Sequence, residues 1–201
     1  LGRRAREFQM LHQIIHDLLQ TRDPKRMFTI LERGILGTFH LRSLAIAFID
    51  RREGFLEVVR SQPSNPATGD PVGWRYDLSD PEIFCDVART GRTEVIDGWD
   101  PRYHERIVEA DGRVTFRQRD PGYNEGQTAY FVPILAGDQA VGVLATGSLQ
   151  ADRPFILSEI ERMSPFLHQA GATFSIVSEM MERQRAEQLA ELSQELQETN
   201  R

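Results

Sequence analysis

The chain has 201 residues, 40% hydrophobic and 27% charged, which suits one compact domain with extensions or at most two small domains. Lys+Arg is 24 against Asp+Glu 30, and the net charge of -6 argues against a binder of nucleic acid or of anionic membranes, which need a basic face. Lys25 is the only lysine and follows no Gly-rich loop, and Cys85 is the only cysteine, so phosphate-loop chemistry and an intrachain disulfide are both excluded.

Phe8, Leu11, Ile15 and Leu18 recur at helical spacing and predict an amphipathic helix over 4–20. Asp23-Pro24 restarts the chain, with Asp able to cap free N–H groups and Pro suited to the first helical position. The helix that follows turns Met27, Ile30, Leu31, Ile35 and Leu36 inward and ends near Gly37. Residues 43–50 and 55–61 are short apolar runs around Arg51-Arg52-Glu53-Gly54 and read as a hairpin. Residues 62–75 hold Pro63, Pro66 and Pro71 and read as a loop. Ser79 and Glu82 have capping-box spacing for a helix that runs to Gly91, a natural C-cap. Residues 93–96 read as a short strand, and 97–127 as polar and irregular, with a short helix starting at Asp100-Pro101.

Residues 128–136 and 139–149 form a second hairpin around Gly137-Asp138, with Pro133 requiring a bulge or an edge because it lacks an N–H. Ser158 and Glu161 have the spacing of a second capping box, opening the last helix. There Ile156, Ile160, Met163, Leu167, Ala170, Phe174, Val177 and Met181 alternate steps of four and three, a heptad seam. Leu189, Leu192 and Leu196 resume it after two consecutive steps of four, a stutter. So long a stripe implies a partner helix, and a homodimer with Phe8, Leu11, Ile15, Leu167, Phe174, Val177, Met181, Leu189, Leu192 and Leu196 at its interface is expected. No apolar run approaches the ~20 residues that span a bilayer, and a signal peptide is not visible. The single cysteine makes a reducing, cytoplasmic compartment the expectation. The chain lacks an initiator Met and stops in mid-helix, which reads as a piece of a longer protein.

Within this order, Val132-Pro133-Ile134, Gly137, Gly142-Val143-Leu144 and Pro154-Phe155 with Glu159 resemble the closing half of a GAF domain. The segment from Pro81 to Ile96, with Thr90-Gly91 at its helix end, is similar to that family's middle helix and strand. The resemblance covers roughly residues 20–175 and implies an α+β fold: a central antiparallel sheet of about six strands, with helices from both chain ends on one face and a small-molecule pocket on the other. The division expected is an N-terminal helix over 1–20, a sensor domain over 21–175 and a coiled-coil signalling helix over 176–201. The resemblance also implies a homodimeric module ahead of an output domain in the same chain, and the tail looks like the linker before a histidine kinase of a two-component system.

Bilin-binding relatives carry a Cys beside His in a later segment; here 97–127 contain His104 but no Cys, and Cys85 reads as a small core residue. Methionine sulfoxide reductases of this type need several cysteines, and cyclic-nucleotide binders an Asn-Lys signature that is absent here. His12 and His16 share a helix face without a third metal ligand, so neither metal nor haem is expected. The cofactor is left unknown, and the catalytic constellations sought are absent from the sequence. Aromatic and Arg residues outside the periodic core are the candidate ligand contacts: Trp74, Tyr76, Phe84, Trp99, Tyr103, His104, Arg106, Arg117, Tyr123 and Tyr130. The expected function is a regulatory sensor that binds a small molecule, with a ligand-free dimerisation or spacer module as the alternative.

Overall fold

A computed structural model describes residues 2–21, 23–63 and 70–199. Helices α1 (Arg3–Gln20) and α2 (Pro24–Thr38) lead into the hairpin β1 (Leu44–Asp50) and β2 (Phe55–Gln62). A three-residue strand β3 (Arg75–Asp77), helix α3 (Ile83–Thr90) and strand β4 (Glu94–Asp97) follow. A ribbon of β5 (His104–Val108) and β6 (Val114–Gln118) precedes β7 (Gln127–Ala136) and β8 (Gln139–Leu149). A 3-10 turn, Gln150–Asp152, opens the 47-residue α4 (Arg153–Thr199).

Six strands form one antiparallel sheet in the order β3-β2-β1-β8-β7-β4, and β5-β6 pair separately. This is the expected α+β architecture. Alternation divides the inner strands between two cores. Leu44, Ile46, Tyr130, Val132 and Leu144 pack against α1, α2 and α4. Ala47, Val58, Phe131 and Val143 face the other way, toward α3. Pro133 pairs with Val143, while β4 pairs only with 128–131, so no neighbour on that side needs the missing N–H.

Several local starts differ from the sequence reading. Helix α3 is capped by Glu82, whose side chain accepts from the Phe84 N–H, and not by Ser79. Asp77 and Asp80 accept the Ser79 and Asp77 backbone N–H groups and close a turn there, which delays the helix. Its end is as read: Gly91 takes φ 63 and returns its N–H to Val87. Helix α4 starts at Arg153, five residues before Ser158, because Pro154 fits a first turn. Asp100 caps a turn at Arg102 in place of a helix, and β3 and the β5–β6 ribbon occupy stretches read as irregular. Residues 64–69 of the expected loop lie outside the described residues.

The heptad seam of α4 is occupied from within the chain. Ile156, Ile160, Met163, Leu167, Ala170 and Val177 belong to the same core as Ile15 and Leu18 of α1. Phe174 is half-buried, its ring 5.2 Å from that of Phe28 and 5.7 Å from that of Phe48. Ile15, Leu167 and Val177 are therefore covered by the domain itself and offer no surface to a partner; Leu11, Phe174 and Met181 are partly covered. The described side chains after Met181 are exposed, Leu189 and Leu192 among them, as is Phe8 on α1; the Leu196 side chain lies outside the described residues. A compact core does use the stripe, and the stutter falls where the helix leaves it.

Candidate functional site

A cavity of about 630 Å³ lies on the sheet face turned away from α1, α2 and α4. Its floor is small where the other face is bulky: Ala45 and Ala145 are register partners, and Phe131 lies across from Ala145. Trp74 and Tyr76 come from the sheet edge, where the alternation of β3 buries Tyr76 and exposes Arg75 and Asp77. Phe84 stands in the first turn of α3, edge-on to Phe131 with centroids 5.2 Å apart. Tyr103 and Tyr123 form a second edge-on pair at 5.3 Å.

Polar side chains stand among the rings, Ser43, Glu82, His104, Arg119, Asn124 and Thr146 among them. Glu82 lines the cavity as the α3 N-cap. The residue is half-buried, and desolvation of its carboxyl pushes the pKa up to about 7 against the opposing pull of the Phe84 and Ile83 N–H groups. Burial likewise raises the phenols of Tyr76 and Tyr103, and the Asn124 amide donates to the Tyr103 hydroxyl at 3.3 Å. His104 Nδ1 sits 2.9 Å from the Arg102 carbonyl, which can only accept, so Nδ1 carries a proton and Nε2 of the neutral ring is left as an acceptor. Arg119 stacks its guanidinium 4.8 Å from the Tyr123 centroid and lies 3.7 Å from Glu105, and its Nε is buried without a hydrogen-bond partner.

Arg102 holds the surroundings together. It binds Asp86 of α3 at 2.9 Å, Glu94 of β4 at 2.5 Å and Asp100 at 2.9 Å. Those hydrogen bonds, with Asp100 first, raise its pKa, and Arg102 lowers that of Asp100. The Trp99 indole N–H donates to the Arg119 carbonyl at 2.8 Å, and the Arg119 N–H to the Tyr103 carbonyl at 2.7 Å, which fixes the chain over the cavity.

Six of the ten expected ligand contacts meet here: Trp74, Tyr76, Phe84, Tyr103, His104 and Tyr123. Four do not line it. Tyr130 points to the helix face, fully buried, its hydroxyl 2.9 Å from Ser148 Oγ. Trp99 positions Arg119 from behind. Arg117 is exposed and paired with Glu105 at 2.8 Å, because its place on β6 is on the outer side of the ribbon. Arg106 lines a separate open hollow with Arg75 and Phe116; the stacked Tyr76 and Phe116 rings, 5.5 Å apart, stand between the two spaces. Glu82, Arg119 and Asn124 were missed. Glu82 reads as a capping residue, and Asn124 carried one usable signal, a short polar residue able to take its φ of 67.

Cys85 is buried, donates its S–H to the Asp77 carbonyl at 3.3 Å, and has its thiol pushed up to about 12 by burial, the reverse of an activated thiolate. His12, His16 and His168 are exposed. Among the described residues no group of three or more His, Cys, Asp or Glu is placed to hold a metal ion, and no helix is long and apolar enough to cross a membrane.

No family model matches the sequence, and neither does any curated protein sequence. Solved structures do match. The GAF domain/HD domain protein from Geobacter sulfurreducens is 16% identical with a TM-score of 0.57, covering 82% of this chain and 97% of that one. The GAF-B domain of DevS from Mycobacterium smegmatis is 19% identical with a TM-score of 0.54, covering 80% and 99%. A free methionine-R-sulfoxide reductase from Neisseria meningitidis, solved with its substrate, is 15% identical with a TM-score of 0.53, covering 92% and 95%. At such identities the likeness shows the fold, and that fold is of the GAF type.

Proposed function

We propose that the chain is a regulatory sensor module: a small molecule occupies the cavity over Ala45, Ala145 and Phe131, and α4 carries the response to an output domain. The observation that carries this reading is the cavity itself, roomy enough for an organic ligand, aromatic-walled and with polar side chains such as Glu82, Arg119 and Asn124 set among the rings. Catalysis is not proposed, since the one thiol is buried and protonated.

A route for the response runs through α3. Its N-terminus borders the cavity through Glu82 and Phe84. Its C-terminus is tied to the β7–β8 hairpin by Arg51, which donates to the Ala88 carbonyl at 2.8 Å and the Ala140 carbonyl at 3.2 Å. The Leu135 side chain approaches Gly91 at the end of α3, and the Leu135 carbonyl lies so close to Gly171 of α4 that a Cβ there would stand 2.2 Å from the oxygen. A shift of α3 is thereby passed to α4 by packed backbone, provided the ligand favours one of two arrangements. The output we propose is a histidine kinase of a two-component system, reached in a cytoplasmic homodimer whose coiled coil is the exposed part of α4 with Leu189, Leu192 and Leu196.

A second reading is favoured by the exposed Leu189 and Leu192 together with Ile176 and Met180: a dimerisation spacer that binds nothing. Native mass spectrometry of the purified chain, repeated after denaturation, separates the two. The sensor reading expects a dimer with excess mass that is shed on denaturation. A dimer that binds no compound at all leaves the spacer, and a bare monomer at high concentration sinks both.

A further inference from the structure

We propose that the ligand of this cavity is a small organic cation, a ring-bearing molecule whose protonated nitrogen is received by the Glu82 carboxylate between aromatic walls. The proposal rests on reading the cavity as a ligand site and names the chemistry that the site selects.

The argument starts from a charge with no counterpart. A carboxyl group removed from water is unfavourable unless something pairs with it. Glu82 accepts from the Phe84 N–H at 3.3 Å, with the Ile83 N–H beside it, and these are backbone groups that bring no full positive charge. The groups facing it are Asp86 and Cys85 from α3, Tyr76 from β3, and Tyr103 and Arg102 from the segment before β5. Arg102 is the one cation among them, and it is already held by Asp86, Glu94 and Asp100. Asp86 repels rather than pairs. Arg119 lines the same cavity but forms no ion pair with Glu82; its guanidinium lies 4.8 Å from the Tyr123 centroid and 3.7 Å from Glu105. Among the described residues, then, no cation forms an ion pair with Glu82.

The walls favour the same occupant. Trp74, Tyr76, Phe84, Tyr103 and Phe131 line the space with Glu82, and aromatic faces attract cations through their negative quadrupole. An anion would meet Glu82 unfavourably, and a neutral molecule would leave the buried carboxyl unpaired.

Binding is then coupled to one proton. Without ligand, burial keeps the Glu82 carboxyl protonated up to about pH 7. The cation binds the ionised form, so below that pH the proton leaves Glu82 for the buffer as the ion pair forms. A group titrating near 7 is about 90% ionised at pH 8 and about 10% at pH 6, so affinity for the cation falls about tenfold between them.

Three probes of one shape test this: tryptamine, a cation; 3-ethylindole, neutral; and indole-3-acetate, an anion, each titrated calorimetrically into the whole chain at pH 8 and pH 6. Tryptamine is expected to bind at least about tenfold more tightly than 3-ethylindole at pH 8, the scale of one charge-assisted contact, with indole-3-acetate weakest. At pH 6 tryptamine loses about tenfold and releases about one proton, read from buffers of different ionisation enthalpy, while 3-ethylindole changes little. Glu82→Gln keeps an acceptor for the Phe84 N–H; it is expected to erase the tryptamine preference and its pH dependence. The wild-type pH series stands without the variant should the variant fold poorly. If the indoles bind without preference for the cation, or if indole-3-acetate binds best, the charge assignment is overturned and the cavity remains a ligand site. If none of the three binds and native mass spectrometry finds no bound molecule, the reading of the cavity falls with it.

Discussion

The two faces of the sheet are made by alternate residues of the same strands, yet one is filled and the other is hollow. On the helix face Ile46, Tyr130, Leu144 and Met163 are fully buried, and the hollow on that side, between Leu18, Phe28, Ile134 and Phe174, is about 20 Å³. On the α3 face their neighbours include Ala45, Ala47 and Ala145 beside the larger Phe131 and Val143, and the space above part of them is about 630 Å³. Packed interiors tolerate few voids larger than a water molecule, so small residues in register on one face are a different design from large ones on the other. Close packing marks the helix face, and recognition is proposed for the opposite one.

The largest expected effect is on the filled face. Leu144→Ala removes a fully buried side chain from a core that α4 closes, and is expected to cost about 2–5 kcal/mol in urea unfolding. A loss well under 1 kcal/mol would erase the distinction between the faces. Gly171→Ala comes next. Its Cβ would stand 2.2 Å from the Leu135 carbonyl oxygen, which is backbone and has little freedom to yield. Pushing α4 off β7 is expected to cost about 1–3 kcal/mol. In a longer chain with its output attached, the same change should uncouple response from binding. Unaltered stability would mean that α4 is held less closely than the route through Leu135 requires.

Glu82→Gln tests the hollow face by pH. Burial raises the Glu82 carboxyl to about 7, so the folded chain holds a proton that the unfolded chain has released above about 4.5. Wild-type stability therefore falls as pH rises between these values, and the penalty is complete above 7. The variant lacks that penalty. It should be more stable than wild type by about 3 kcal/mol at pH 8 and equal to it at pH 4, in paired thermal melts. An advantage that shrinks as pH rises would reverse the sign and remove the buried-carboxyl argument.

How far the sequence reveals this plan depends on whether a signal is local. The hairpins, the Gly91 cap and the order of elements are local and are legible. The α4 seam is also legible, but periodicity reports an apolar stripe and not what covers it; here the sheet, α1 and α2 do so as far as Met181. Capping spacing at Ser79 and Ser158 is a weak signal that Asp77, Asp80 and Pro154 override. In β7 both faces are buried between Thr128 and Ile134, so its composition could not say that Tyr130 faces the helices and Phe131 the cavity. Glu82 and Arg119 become a site only when segments some 40 residues apart close over the same strands, and no spacing rule carries that.

The smallest expected effect on stability is also the sharpest test of the comparison, because it lies one residue from the largest. Ala145→Leu adds to the cavity floor a side chain like the one that Leu144→Ala removes from the other face. Ala145 pairs with Ala45 and Phe131 and borders open space, so the new side chain has somewhere to go. In a filled core extra methylenes force strain; here they bury apolar area against Phe131 and Val58, and the net change is expected to lie within about 1 kcal/mol of zero. The same leucine takes up space that a ring would use, so tryptamine binding at pH 8 should fall by at least about tenfold, some 1.4 kcal/mol. Stability held and binding lost would separate the two faces with adjacent residues. A destabilisation as large as that of Leu144→Ala would mean the floor is packed after all, and unchanged binding would place the ligand away from Ala145.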